Sequence, residues 1–173
     1  YYTARDLADD VDYVFLGRIV DTAESVYQLD ADPEDPDKER TVDYDGAVFE
    51  VDEVLVGDLA VGQSLTIGIP AVVTSRGEQR RYDNVEQVEV IQDGLERSND
   101  TYLVFAVLRR DSGKVAFFYG NNGVVRVPPD GGPLVGLPGS YYDTGDVHFG
   151  KAGALTLEDI RVSLEGPPGD RFD

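Results

Sequence analysis

The side chains able to do chemistry in this chain are overwhelmingly carboxylates: 23 Asp and 11 Glu, against one His and no Cys. Asp30, Asp32, Glu34, Asp35 and Asp37 offer hard oxygen ligands of the kind calcium takes, close together along the chain. Their spacing is not that of an EF-hand loop, the turn glycine is missing, and Pro33 and Pro36 limit wrapping. A calcium site on Asp30, Asp32, Asp35 and Asp37 therefore stands beside a plainer reading, a solvated acidic loop with diffuse counter-ions. Nucleophilic catalysis has little footing. His148 is the only imidazole, and no Gly-x-Ser-x-Gly turn exposes a serine beside it. Zinc catalysis draws on about three protein ligands, usually several of them His, which one His does not supply. Paired acids for glycoside hydrolysis could be drawn from 34 carboxylates at any spacing, so no pair is informative. Catalytic carboxyls also need burial to shift their pKa, and most of these acids fall in turns or on exposed strand faces. A second cluster, Tyr141-Tyr142-Asp143 with His148-Phe149, sets aromatic rings beside a carboxylate in a glycine-rich stretch. Tyr buries much area for few rotors, which suits a protein- or glycan-contact patch. The same rings would equally serve as a cover folded back over a barrel mouth.

The 15 basic against 34 acidic residues give a net charge of −19 and a pI near 4.2. Phosphate contacts need clustered Lys and Arg, so a nucleic-acid partner is not expected. Only three of the bases are Lys, namely Lys38, Lys114 and Lys151. A surface this acidic repels itself in dilute buffer, and at ~1 M salt the screening length falls to about 3 Å. The balance fits a salt-adapted organism, or an acidic secreted protein from a GC-rich bacterium. The longest apolar run, Tyr102–Leu108, is far short of the ~18 residues of a spanning helix. The chain starts at Tyr1 without Met, which we read as a processed, exported protein. Asn99-Asp100-Thr101 matches a glycosylation acceptor, a triplet that arises often by chance.

Residues 1–173 are expected to form one domain. Thr3 as cap, Asp6 in the first turn, and Leu7 with Val11 on one face predict a short helix over 3–11. Tyr13–Val20 reads as a strand. Its first half is apolar on both faces, implying cover on each side, and Gly17 within it marks a bulge, a bend or a close backbone approach. Residues 29–40 read as a mobile acidic loop. In Ala47–Leu55, Ala47, Phe49 and Val51 face one way, Glu50 and Asp52 the other, with a bulge-like slip at Val54-Leu55. Further strands are expected at Leu65–Ile69, Val85–Ile91, Tyr102–Leu108, Val115–Tyr119 and Val124–Val127, punctuated like a small barrel. Residues 128–153 are a glycine-rich extension with little regular structure. A last helix is expected over 156–165, with Thr156 capping, Asp159 completing the box, a buried stripe of Leu157, Ile160 and Leu164, and Gly166 as stop.

The order of these pieces carries a resemblance. A short helix leads into Ala8-Asp9-Asp10-Val11-Asp12-Tyr13-Val14-Phe15-Leu16-Gly17-Arg18-Ile19-Val20. Val48-Phe49-Glu50-Val51-Asp52-Glu53-Val54-Leu55-Val56-Gly57-Asp58 follows the variable loop, and Gly62 precedes a strand. Then come Tyr102-Leu103-Val104-Phe105 and Asn122-Gly123-Val124-Val125-Arg126-Val127. Over about residues 3–127 and the final helix, this resembles a group of little-characterised exported prokaryotic proteins. Their barrel is similar to that of tissue inhibitors of metalloproteinases and netrin-type modules. The resemblance implies a mainly β chain: a small closed or partly open OB-like barrel of six to seven strands with a short helix at each end. It also implies an extracellular binding module more readily than a catalyst. The inhibitors' own mechanism does not carry over, because they present a disulfide-tethered N-terminal Cys to zinc and this chain offers Tyr1 and no Cys.

The expectation for function is a non-enzymatic module that binds a protein partner or self-assembles at the cell surface or outside the cell. The alternatives are a secreted protease inhibitor acting through a barrel edge or loop, and a structural subunit of a surface filament or virion. No cofactor other than calcium is suggested. The places to look are Ala47–Leu55, the acidic loop and the Tyr141–Phe149 segment.

Overall fold

The structure, a computed structural model, describes residues 4–29, 40–75, 78–81, 94–97, 99–110, 113–117, 123–136 and 155–167. These form α1 (Ala4–Asp9), β1 (Tyr13–Leu29), β2 (Arg40–Val56), β3 (Ser64–Ser75), β4 (Glu78–Arg81), β5 (Thr101–Arg109), β6 (Lys114–Phe117), β7 (Val124–Val127), β8 (Val135–Gly136) and α2 (Leu157–Glu165). Among them no helix is long and apolar enough to cross a membrane.

Five strands close on themselves in the order β1-β2-β3-β6-β5 and back to β1. Every contact around this ring is antiparallel except β3 with β6, which run parallel at Ile67↔Val115 and Gly68↔Ala116. The result is an OB-like barrel. β5 can serve as the hub because its two edges are used over different spans. One edge pairs β1 through Tyr102–Ala106, while the other pairs β7 through Thr101–Val104 and β6 through Ala106–Arg109. β8 extends β7, and β4 extends the far end of β3.

Alternation along the strands sorts side chains into two cores. Inside the barrel lie Phe15, Ile19, Ala47, Phe49, Val51, Ile67, Tyr102, Val104, Ala106, Val115 and Val124. Phe49 is central, meeting Phe15, Tyr102 and Phe117 edge-to-face at centroid distances of 5.9, 6.4 and 5.9 Å, the geometry that the ring quadrupole favours. The intervening residues Val14, Leu16, Leu103, Phe105 and Val125 point outward and are covered by Ala4, Leu7 and Ala8 of α1 and Ile160 of α2. The doubly apolar start of β1 thus has a cover on each side, as its sequence demands. α2 begins with the anticipated capping box: Thr156 Oγ1 accepts from the Asp159 N–H at 3.2 Å, and Asp159 accepts from the Thr156 N–H at 2.8 Å. Arg5 of α1 donates to the Leu164 carbonyl at 3.2 Å, tying the helices together.

Several local features follow from close contact between β1 and β2. Val14 pairs Val56 and Phe15 pairs Val54, so Leu55 is the extra residue of a bulge where the apolar phase slips. At Gly17 a Cβ would stand 2.7 Å from the Glu50 carbonyl oxygen. At Gly57 the backbone turns at φ +97°, and a Cβ would collide with the Asp12 carbonyl.

The two long strands depart from the sequence expectation. β1 runs on to Leu29 and β2 starts at Arg40, so both outer parts of the acidic loop and residues 21–28 before it are strand. Residues 21–29 lack alternation (Asp21, Thr22, Glu24, Ser25 and Gln28 among them), and it is pairing with β2 that makes them extended. β4 and β8 were likewise without a sequence signal. The anticipated strand at Val85–Ile91, the turn at Asn121-Asn122 and the acidic residues 30–39 lie outside the described residues.

Candidate functional site

Of the three regions singled out by sequence, one falls within the described residues. Asp30, Asp32, Glu34, Asp35 and Asp37 lie outside them, as do Tyr141, Tyr142, Asp143, His148 and Phe149. Among the described residues, no group of three His, Cys, Asp or Glu side chains is arranged to hold a metal ion.

Ala47–Leu55 is in place within β2, and its two faces do different work. Ala47, Phe49 and Val51 are buried in the barrel. On the outer face Glu50 and Asp52 flank Arg18 of β1. Arg18 Nη2 reaches Glu50 Oε1 at 2.5 Å, and Arg18 Nε reaches Asp52 Oδ2 at 3.1 Å. The Asp52 hydrogen bond, then its charge and that of Glu50, hold the Arg18 guanidinium above its ordinary pKa. These side chains are about a third exposed or more, so the cluster is a solvated ion triad fixing the strand pair. Further along, Arg161 of α2 grips Glu53 through two parallel bonds of 2.6 and 2.7 Å, a bidentate fit that pins the helix to β2. That hydrogen bond raises the Arg161 pKa, against the opposing effect of burial. Asn99 of the acceptor triplet is exposed in the turn that enters β5.

The sequence reading missed one feature of the strand pairing. β1 pairs β5 only from Tyr13 to Gly17, yet it pairs β2 along its whole length. From Arg18 to Leu29, one edge of β1 has no strand against it among the described residues. Beyond an irregularity at Val20, where Ile19 pairs Phe49 and Asp21 pairs Val48, the register runs unbroken to Leu29↔Arg40. β3 backs β2 from Ser64↔Glu50 to Ser75↔Arg40, and β4 backs β3. β1, β2 and β3 thus continue as a sheet past the last β1–β5 pair, and among the described residues no strand lies against the other edge of β1 there. Its sequence signal is weak: Thr22, Val26, Tyr27, Thr41, Val42 and Tyr44 favour strands, but polar neighbours interrupt any period of two.

Comparison of the chain with family models, with curated proteins and with solved structures finds no match in any of the three.

Proposed function

We propose that this chain is a non-enzymatic, exported module that binds another protein or assembles with it outside the cell. The observation that carries the reading is the arm of β1, β2 and β3, whose β1 edge has no strand beside it among the described residues. An open strand edge presents a row of N–H and C=O groups that another chain can pair. The sequence adds support, since a single His and no Cys leave little for nucleophilic or zinc chemistry. The extracellular setting rests on the resemblance to exported OB-like modules.

The test is to shorten the arm by joining Thr22 to Ala47, which pair across β1 and β2, through a two-residue turn. Full-length and shortened chains are compared by sedimentation velocity at the native working salt, alone and with the host's extracellular proteins. Complexes formed by the full chain and lost on shortening are expected. A peptidase in the complex would select the inhibitor form of this reading, and self-complexes the structural form. Equal complex formation by both chains would overturn the role of the arm, and turnover of a substrate by both would overturn the non-enzymatic reading.

A further inference from the structure

We infer that the open edge of β1 takes a basic, extended segment of a partner protein as an added antiparallel strand alongside Val20–Leu29. The inference rests on the binding-module reading and names the surface and the partner's chemistry.

Three observations point the same way. The edge is long and even: nine consecutive pairs from Asp21↔Val48 to Leu29↔Arg40 run without a slip, about 30 Å of strand at roughly 3.3 Å per residue. β3 backs β2 along this span, so the edge belongs to a sheet and not to a lone hairpin. Next, a donor on this edge is met by a neighbouring side chain and not by a strand. The Thr22 N–H is met at 2.8 Å by the carboxylate of the adjacent Asp21, a side chain standing where a neighbouring strand would offer a carbonyl. Since donors on one side of a strand recur every second residue, the N–H of Glu24 shares that side with Thr22.

The third observation is charge. Asp21 and Glu24 are exposed beside the edge. Arg18, the base that precedes the edge along β1, is already engaged by Glu50 and Asp52, and Arg40 stands opposite Leu29 at its far end. With −19 on each chain, a second copy is repelled, whereas a segment rich in Lys or Arg is drawn in. Main-chain pairing then supplies affinity, and acids flanking the edge select the sign of the incoming side chains.

The test uses the full chain and three synthetic peptides of about ten residues, the length of the edge. One alternates Lys with Val and Thr, one carries the same charges with Pro interspersed, and one replaces Lys with Glu. Binding is measured by calorimetry near 0.15 M salt, and the site by amide hydrogen exchange. The Lys strand peptide is expected to bind and slow exchange within Val20–Leu29 at least tenfold. The Pro peptide should bind at least tenfold more weakly, and the Glu peptide not at all. Glu24→Pro removes a donor on the open side while leaving the β2 side intact, and is expected to abolish that protection. Glu24→Gln should weaken binding only a few-fold. Unchanged exchange protection in β5 shows that the variants are folded; if Glu24→Pro disturbs β5, the double variant Asp21→Lys/Glu24→Lys replaces it, with loss of Lys-peptide binding expected.

Equal binding of Lys and Pro peptides, or protection elsewhere, would overturn strand addition at this edge and leave the binding-module reading standing. Edge protection that rises with protein concentration alone would make a second copy the occupant, overturning the basic partner but not assembly. Edge amides already protected in dilute free protein would show the chain covering its own edge, and both readings would fall.

Discussion

At Gly17 the β1 backbone lies so near β2 that a methyl group has no room: its Cβ would sit 2.7 Å from the Glu50 carbonyl and 3.0 Å from the Phe15 ring. Neither neighbour yields easily, because the carbonyl belongs to the paired strand and the ring is fully buried. Gly17→Ala is therefore expected to destabilise by about 1–3 kcal/mol, the range for overpacking a filled core. A denaturant midpoint equal to wild type would refute this. The sequence flagged this position as a bulge, a bend or a close approach, and the structure shows a close approach beside a register slip, with Leu16 opposite Glu53 and Gly17 opposite Val51. Arg161 makes a contrasting case. Its two short bonds to Glu53 are well aligned, but both side chains are about two-fifths exposed. Arg161→Ala should cost less than about 1 kcal/mol in dilute buffer and almost nothing in molar salt. Nothing near the Arg161 position forecast Glu53, which is 108 residues away.

Among elements, α2 was legible almost to the residue, since its stop and start signals are local. Thr156, Asp159 and Gly166 act through backbone groups within four residues of themselves. Thr156→Ala should lower stability by about 1 kcal/mol and speed exchange in the first turn of α2. The two cores predict a sharper distinction. Ile160 is 1% exposed and belongs to the core between helices and barrel, whereas Phe49 is fully buried inside it. Ile160→Ala should cost about 2–5 kcal/mol and Phe49→Ala about 3–5 kcal/mol. The difference lies in where the damage spreads. The helical lesion should raise exchange chiefly in α1 and α2, and the barrel lesion in β1, β2 and β5 together. Uniform loosening by both would mean that the cores unfold as one unit.

For the whole molecule, charge sets the dominant dependence on conditions. Self-repulsion from −19 acts over the full surface, while the ion pairs at Arg18 and Arg161 are few and solvent-accessible. Salt screens both, and the repulsion is the larger quantity, so Tm should rise between dilute buffer and molar salt. A melt that stayed flat or fell would remove the salt-adapted reading. Each of these two guanidiniums has a folded pKa raised above the ordinary arginine value, so whatever stability it lends is present below that ordinary value and lost only as pH climbs through the raised one. Arg18 and Arg161 should therefore confer no pH dependence between pH 5 and pH 9 (a range well below arginine titration), measurable by comparing melts of Arg161→Ala with wild type across it.

What the sequence determined alone is what depends on near neighbours: the alternating faces of Ala47–Val51, the doubly apolar β1 start, the bulge at Leu55, and the cap and stop of α2. Each is a pattern of side-chain polarity or a backbone bond within a few positions, so the chain carries its own signal. Tertiary structure decided the rest. The parallel closure of β3 on β6 joins segments far apart in sequence, and residues 21–29 become strand only because β2 lies against them. The β1 edge without a strand among the described residues is more remote still from sequence, since it is defined by where β5 stops pairing with β1. Register is a property of two chains of backbone meeting, and no single stretch of residues encodes it.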